Sequence, residues 1–271
     1  MGKNDKIDYV SFSNSIREET LKMIYNAKAS HIGGAFSMAD ILSVLYNGIL
    51  NIEPKNPNKE NRDRFILSKG HACTSLYATL ALKGFFPIEE LKTYATDGSR
   101  LMSHTNHKVP GVELSTGSLG HGLSVACGLA LAAKAKKENW KTYCLLSDGE
   151  LDEGSNWESI LFAAHHQLDN LIAIVDYNKI QAFGDTNDVL NLDPLKDKFV
   201  SFGWEVFEID GHNHQQIENA LTENQANKKP LVVIAHTIKG KGVDFMENEL
   251  LWHYRNPNQE QFEEALKQLN R

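Results

Sequence analysis

Apolar positions along this chain follow two rhythms that alternate from end to end. Over residues 11–29, Ile16, Thr20, Met23, Ile24 and Ala27 fall on one face at helical spacing. Ser37-Met38-Ala39-Asp40 predicts the start of a second helix, with Ser37 as N-cap and Asp40 as its capping-box partner. A polar, proline-bearing loop follows over 51–64, then a short strand over 64–68 and a helix over 73–83. Two continuous apolar runs, Thr142-Tyr143-Cys144-Leu145-Leu146 and Leu171-Ile172-Ala173-Ile174-Val175, read as buried strands. Further strands are predicted near 204–209 and 231–236, and helices over 117–138, 155–167 and 259–269. The repeated β/α order predicts an α/β fold, a parallel sheet flanked by helices on both faces, as a single domain over 1–271. No internal repeat or low-complexity linker interrupts it.

Composition narrows the classes of function. With 271 residues and 41% hydrophobic content, the chain can bury one large core or two small ones. A net charge of −7, a pI near 5.9 and the lack of a basic stripe argue against nucleic acid. Lys134-Ala135-Lys136-Lys137 reads as the solvated end of a helix, where cations favour the dipole. Cys73, Cys127 and Cys144 lie in apolar contexts, odd in number and without ligand spacing, as expected of reduced thiols in a cytoplasm. Met1-Gly2-Lys3-Asn4-Asp5-Lys6 has no apolar signal core, and Gly2 lacks a second anchor for stable lipid attachment. No apolar run is long enough to span a membrane.

The candidate chemistry gathers where strands end. Residues 95–116 show little periodicity and many His, Asn, Gly and Ser residues, and a long irregular stretch in a compact domain is usually functional or disordered. The two apolar runs end in hard oxygen donors, Asp148 in Ser147-Asp148-Gly149-Glu150 and Asn178 in Val175-Asp176-Tyr177-Asn178. Adjacent parallel strands would set those oxygens side by side at the carboxyl edge of the sheet, where open α/β folds bind ligands. One carboxylate and one amide oxygen suit a Mg²⁺ that keeps a water and takes its other oxygens from a diphosphate. Gly149 and Gly154 allow close backbone approach, and a helix starting near Gly154 would aim its positive end at the anion. Read alone, Asp148-Gly149 is equally a turn after a strand.

A wider set of blocks settles that choice. The Asp148-Gly149 turn followed about thirty residues later by Asn178 resembles the thiamine-diphosphate motif. Ala29-Ser30-His31-Ile32-Gly33-Gly34, Leu67-Ser68-Lys69-Gly70-His71-Ala72, Ser103-His104, the glycine-rich loop 110–122 and His236-Thr237-Ile238-Lys239-Gly240-Lys241-Gly242 resemble, in family order, the amino-terminal half of transketolases. The resemblance implies the thiamine-diphosphate-binding fold, with thiamine diphosphate and Mg²⁺ (Ca²⁺ as a substitute) as cofactors. It implies a third metal ligand in the carbonyl of Ile180, beside Asp148 and Asn178. It places Gly117, Ser118, Leu119, Gly149 and Glu150 against the cofactor. His31 and His71 would stand near the thiazolium and the reacting carbonyl, His104 at the hydroxyls of the transferred unit, and His253 near the diphosphate. Imidazole suits such work because its pKa lies near neutrality. Glu153 matches a glutamate that links sites across a subunit interface. The chain departs from the pattern at Ser147, where glycine usually precedes the aspartate, and at His121, where many members carry Gln. Glycine tolerates positive φ and serine does not, so the backbone angle at Ser147 is an open point. His107, His121, His165, His166, His212, His214 and His236 default to structural roles.

The resemblance also implies a partner. In transketolases the glutamate that activates the aminopyrimidine lies in a second, pyrimidine-binding domain, which would begin where this chain ends at Arg271. The expectation is a split enzyme: a diphosphate-binding subunit joining a transketolase C-terminal-type subunit to transfer a two-carbon ketol unit between sugars. It would be a homodimer alone and a heterotetramer with its partner. The alternatives are another thiamine-diphosphate-dependent carbon–carbon transferase and a silent cofactor-binding scaffold.

Overall fold

The computed structural model describes residues 8–222 and 228–270. The polar segment Met1–Lys6 and the terminal Arg271 lie outside the described residues. The first layer is helical: α1 (Tyr9–Ala27), α2 (Ile32–Ser37) and α3 (Ala39–Val44). Strand β1 (Arg64–Leu67) and helix α4 (Cys73–Leu82) follow, then a long irregular stretch leading to α5 (Gly122–Lys136). Next come β2 (Thr142–Ser147), α6 (Gly154–His165), β3 (Leu171–Tyr177), the short hairpin β4 (Ile180–Gln181) and β5 (Gly184–Asp185), and α7 (Thr186–Val189). The chain closes with α8 (Leu195–Ser201), β6 (Glu205–Asp210), α9 (His214–Thr222), β7 (Leu231–His236) and α10 (Gln259–Leu269).

The main sheet has five strands in the order β1-β2-β3-β7-β6, all parallel. Its alternating side chains feed two cores, as the pleat requires. Phe65, Leu67, Tyr143, Leu145, Ile172, Ile174 and Val233 point to one face and pack with residues of α1, α3, α4 and α9. Ile66, Cys144, Leu146, Ala173, Val175, Val232 and Ile234 point to the other, against α5, α6 and α8. A third cluster joins α1 and α2 to α10 through Leu21, Ile32, Phe36, Val243, Met246 and Trp252. The three cysteines are buried free thiols. Among the described residues no helix is long and apolar enough to cross a membrane.

Several local expectations are corrected. Ser37 does not cap a helix: it is the last residue of α2, and its hydroxyl donates to the Gly34 carbonyl and to Asp176. Asp40 forms no capping box and instead pairs with Arg17. Gly33 and Gly34 lie inside α2, whose N-cap is His31 at positive φ. Helix α5 also starts five residues later than the pattern suggests, at Gly122 instead of 117, because Gly117–Gly120 is irregular.

Candidate active site

The carboxyl ends of β1, β2, β3 and β7 open onto one cavity of about 380 Å³. Strands β2 and β3 are paired in register, Ser147 opposite Asp176, so Asp148 and Asn178 emerge from neighbouring strands as expected. Asp148 is 1% exposed. Its Oδ1 accepts from the Gly149 N–H at 2.7 Å and its Oδ2 from the Lys179 N–H at 2.5 Å. Burial, and then the neighbouring Asp176 charge, push its carboxyl up to about 6. The buried Lys69 pairs with Asp176 instead. The Asn178 side chain turns its amide N–H to Asp176 at 3.3 Å, while its oxygen accepts from the Ile180 N–H at 3.2 Å. Asp148, Asn178 and Ile180 all line the cavity. Among the described residues no group of three or more His, Cys, Asp or Glu side chains gathers as a metal cage. An under-compensated buried carboxylate beside amide and carbonyl oxygens fits a hard divalent cation that completes its shell from a ligand.

Four imidazoles form the adjoining wall. The His31 ring lies 5.1 Å from those of His71 and His253 and 6.3 Å from that of His104, centroid to centroid. His31 holds φ 72°, a left-handed conformation rare outside glycine, and its N–H donates to the His253 carbonyl at 3.0 Å. Such strain persists only where surrounding contacts enforce it, and it accumulates at functional sites. Burial lowers His31 to about 4 and His253 to about 3, and takes His71 well below its ordinary value, with Lys239 or Lys69 adding to each shift. These three rings are therefore neutral at pH 7, able to accept or donate a proton at a hydroxyl.

Two lysines that sequence reasoning left out complete the site. Lys69 is 1% exposed, donates to the Gly34 carbonyl at 2.9 Å and pairs with Asp176. Burial opposes ionisation of Asp176, but Lys69 outweighs it and holds the carboxyl below its usual value. Lys239, 2% exposed, donates to the Ile180 carbonyl at 2.7 Å and to His253 Nδ1 at 3.0 Å, and burial pulls it down to about 8. An acceptor role at Nδ1 leaves the His253 proton on Nε2. Each lysine lies just past the carboxyl end of a strand, Lys69 after β1 and Lys239 after β7.

The remaining expected residues divide. Gly117, Leu119, Gly149 and Glu153 line the cavity. A Cβ at Gly117 would lie 3.0 Å from the His104 ring, so glycine is what lets that loop pass the imidazole. Glu150 and Ser118 do not line it. Glu150 is fully buried behind it, accepting from the Ser68 hydroxyl, the Gly120 N–H at 2.9 Å and the Ser147 N–H at 3.4 Å. Ser147 itself has no positive φ, and its hydroxyl accepts from the Glu150 N–H at 3.3 Å. The serine therefore fits its turn without strain. His121 is exposed at the start of α5, and His107 bonds Ser115 at the surface.

The comparisons with known proteins agree with this geometry. The family described as "Transketolase, thiamine diphosphate binding domain" matches residues 10–268. One of the named subunits of the apulose-4-phosphate transketolase of Phocaeicola vulgatus is 43% identical over 259 residues, 95% of this chain and 92% of that protein. The "6-deoxy-6-sulfo-D-fructose transketolase subunit SqwG" of a Clostridium species is 42% identical over 268 residues, 98% of each. The crystal structure of Campylobacter jejuni transketolase superposes with a TM-score of 0.92 at 35% identity, covering 99% of this chain and 43% of that one. The chain belongs to the transketolase family, as a thiamine-diphosphate-binding domain of the α/β type. It spans about two fifths of the full-length transketolase and nearly all of the relatives that are named as subunits.

Proposed function

We propose that this chain is the diphosphate-binding subunit of a split transketolase, the whole of 1–271 forming one such domain. It transfers a two-carbon ketol unit from a ketose to an aldose together with a separate pyrimidine-binding subunit. The observation that carries this reading is the single cavity in which Asp148, Asn178 and Ile180 face His31, His71, His104 and His253. The likeness to relatives that are themselves named as subunits supports the split. Those relatives are named for a phosphorylated and a sulfonated ketose, which favours an anionic sugar, most simply a sugar phosphate.

In this reading Asp148, Asn178 and the Ile180 carbonyl would hold Mg²⁺, or Ca²⁺ in its place, which would supply the positive charge that an anionic diphosphate needs. When bound, thiamine diphosphate supplies the carbanion that cutting and joining sugar carbon chains requires. Lys239 stands beside the Ile180 carbonyl as a buried cation facing the anion. His253 presents an Nε2 proton to the cavity, and His31, His71 and His104 accept or return protons at the sugar hydroxyls and the developing alkoxide. Glu153, exposed at the cavity rim, meets its symmetry mate or a partner carboxylate across an interface. The assembled enzyme is an α₂β₂ heterotetramer in the cytoplasm. The test is a coupled assay of ketol transfer with the two purified subunits, with Mg²⁺ and thiamine diphosphate. Turnover that needs both chains is expected; none from the mixture, with each cofactor present and a range of phosphorylated ketoses, would refute the reading.

A further inference from the structure

We propose that His212, which sequence reasoning assigns a structural role, is a positioning residue that sets Lys239 in the cavity. Strands β6 and β7 run in parallel register up to Asp210 opposite His236, with one further ladder bond from the Gly211 N–H to the His236 carbonyl at 2.8 Å. Beyond that the chain after β6 turns into α9, and the backbone ladder stops. The Ile238 N–H, which would otherwise face a departed strand, donates to Nε2 of His212 at 2.8 Å. A backbone donor half-shielded from water still needs a partner, and here an imidazole replaces the missing carbonyl.

The ring is held from its other side. Nδ1 of His212 lies 2.8 Å from Oδ2 of Asp40, a 5%-exposed carboxylate that also meets Nε2 of His214 at 2.9 Å and the Arg17 guanidinium. Since Nε2 accepts from Ile238, the ring proton must sit on Nδ1, where Asp40 takes it. Asp40 thus fixes both tautomer and ring plane, much as an outer carboxylate orients a metal-bound imidazole.

The bond reaches the site through one peptide. Lys239 follows Ile238, its carbonyl accepts from the Asn248 N–H at 2.9 Å, and the next N–H, of Gly240, donates to the Gly33 carbonyl at 3.0 Å. Its ammonium then spans the Ile180 carbonyl and His253 Nδ1. The line Asp40–His212–Ile238–Lys239 therefore runs from α3, behind the sheet, to the cavity. The purpose of that line, though not its geometry, rests on reading the cavity as the diphosphate site.

The experiment is ¹⁵N NMR on the full chain without cofactor, in wild type, His212→Phe and His212→Gln. Wild-type His212 is expected as the Nδ1–H tautomer, the opposite of the form a histidine side chain favours in water. His212→Phe removes the acceptor, so the Ile238 amide should exchange roughly tenfold faster. His253 should also lose its pure Nε2–H signature as Lys239 slips from Nδ1. His212→Gln, whose side-chain oxygen can accept from Ile238, should restore both. An Nε2–H tautomer or an imidazolium at His212 overturns the proposal even if the Phe variant fails to fold. So does a folded Phe variant with unchanged Ile238 exchange and His253 signals. All readouts are taken without cofactor, so failure here leaves the reading of the cavity standing, and failure of that reading leaves these readouts unmoved.

Discussion

Lys69 and Asp176 form an ion pair with both side chains out of water, 1% and 0% exposed. Asp176 also accepts from Ser37, Thr237 and the amide of Asn178, so one carboxylate ties α2, β3 and the end of β7 together. Because Asn178 directs its N–H at Asp176, its oxygen is turned to the other side, where it accepts from the Ile180 N–H. Replacing Lys69 with Met strands a buried charge, which costs about 3–5 kcal/mol. Urea denaturation of Lys69→Met should show a loss of that size. A loss under about 1 kcal/mol, the surface-pair range, would mean that the pair is not buried in solution.

Asp148 should behave oppositely. Its carboxyl is lifted to about 6 by burial and by Asp176, so the folded state gains from losing this charge. Asp148→Asn is expected to leave the cofactor-free chain as stable as wild type, or more stable by up to roughly 2 kcal/mol. Mg²⁺-dependent binding of thiamine diphosphate by the assembled enzyme should vanish, and chelation of the cation should do the same to wild type. Calorimetric titration reads the binding and thermal denaturation the stability; cofactor bound at wild-type affinity by the variant sinks the metal assignment.

That contrast shows what a linear pattern conveys. Asp148 and Asn178 are legible because they end apolar runs, and parallel strands bring their ends together without further information. The histidines are legible only through family blocks, since imidazole gives no periodic signal. Lys69, Lys239 and His212 escape because a charged residue in a loop reads as solvated, and burial here is supplied by segments far away in the sequence: Gly34 and Asp176 for Lys69, Ile180 for Lys239, Asp40 for His212. Glu150 misleads for a local reason. The 3₁₀ turn Gly149–Asp152 swings its side chain back toward Ser68, away from the cavity that its neighbours line.

The imidazole wall predicts a flat titration. His31 has a folded value of about 4 against an ordinary 6.5, so between those limits the unfolded chain binds more protons. Its contribution is complete above pH 6.5 and is lost as pH falls from there toward 4, so stability drops on that interval. His71 and His253 shift in the same direction and steepen the drop. Their ring C–H resonances should stay unmoved from pH 8 to 5. A midpoint near 6.5 for any of the three would show that its ring is open to water.

The chain by itself should not turn over. Its cavity opens outward, with Phe183 at its rim 83% exposed, and the residues proposed to bind metal and diphosphate include no pyrimidine-activating glutamate among those the family motifs identify. Assays of the isolated protein with cofactor and Mg²⁺ should give no ketol transfer, and adding the pyrimidine-binding subunit should restore it. Multiple turnovers by the purified single chain, free of contaminating transketolase, would contradict the split reading.

Assembly follows from the surface around Glu153. This carboxylate is exposed, and its Cβ sits where a side chain on Gly120 would have to go, 2.7 Å from that position. Helices α5 and α6 pack on each other beside it and leave Val125, Leu161 and Phe162 exposed at 39%, 58% and 39%. Small residues on the outer side of α5, Ser124, Gly128 and Ala132, would let a second backbone approach closely. In the proposed assembly a two-fold axis through this face would set each Glu153 near its mate and yield two equivalent sites. Light scattering is expected to give a dimer mass for the chain alone and an α₂β₂ mass with its partner. Leu161→Glu should weaken the dimer by placing like charges against each other across the axis, while Glu153→Gln should leave the mass unchanged and lower activity. A strictly monomeric species at micromolar concentration, with and without the partner, would falsify the shared interface and leave Glu153 as an ordinary charge at a helix start.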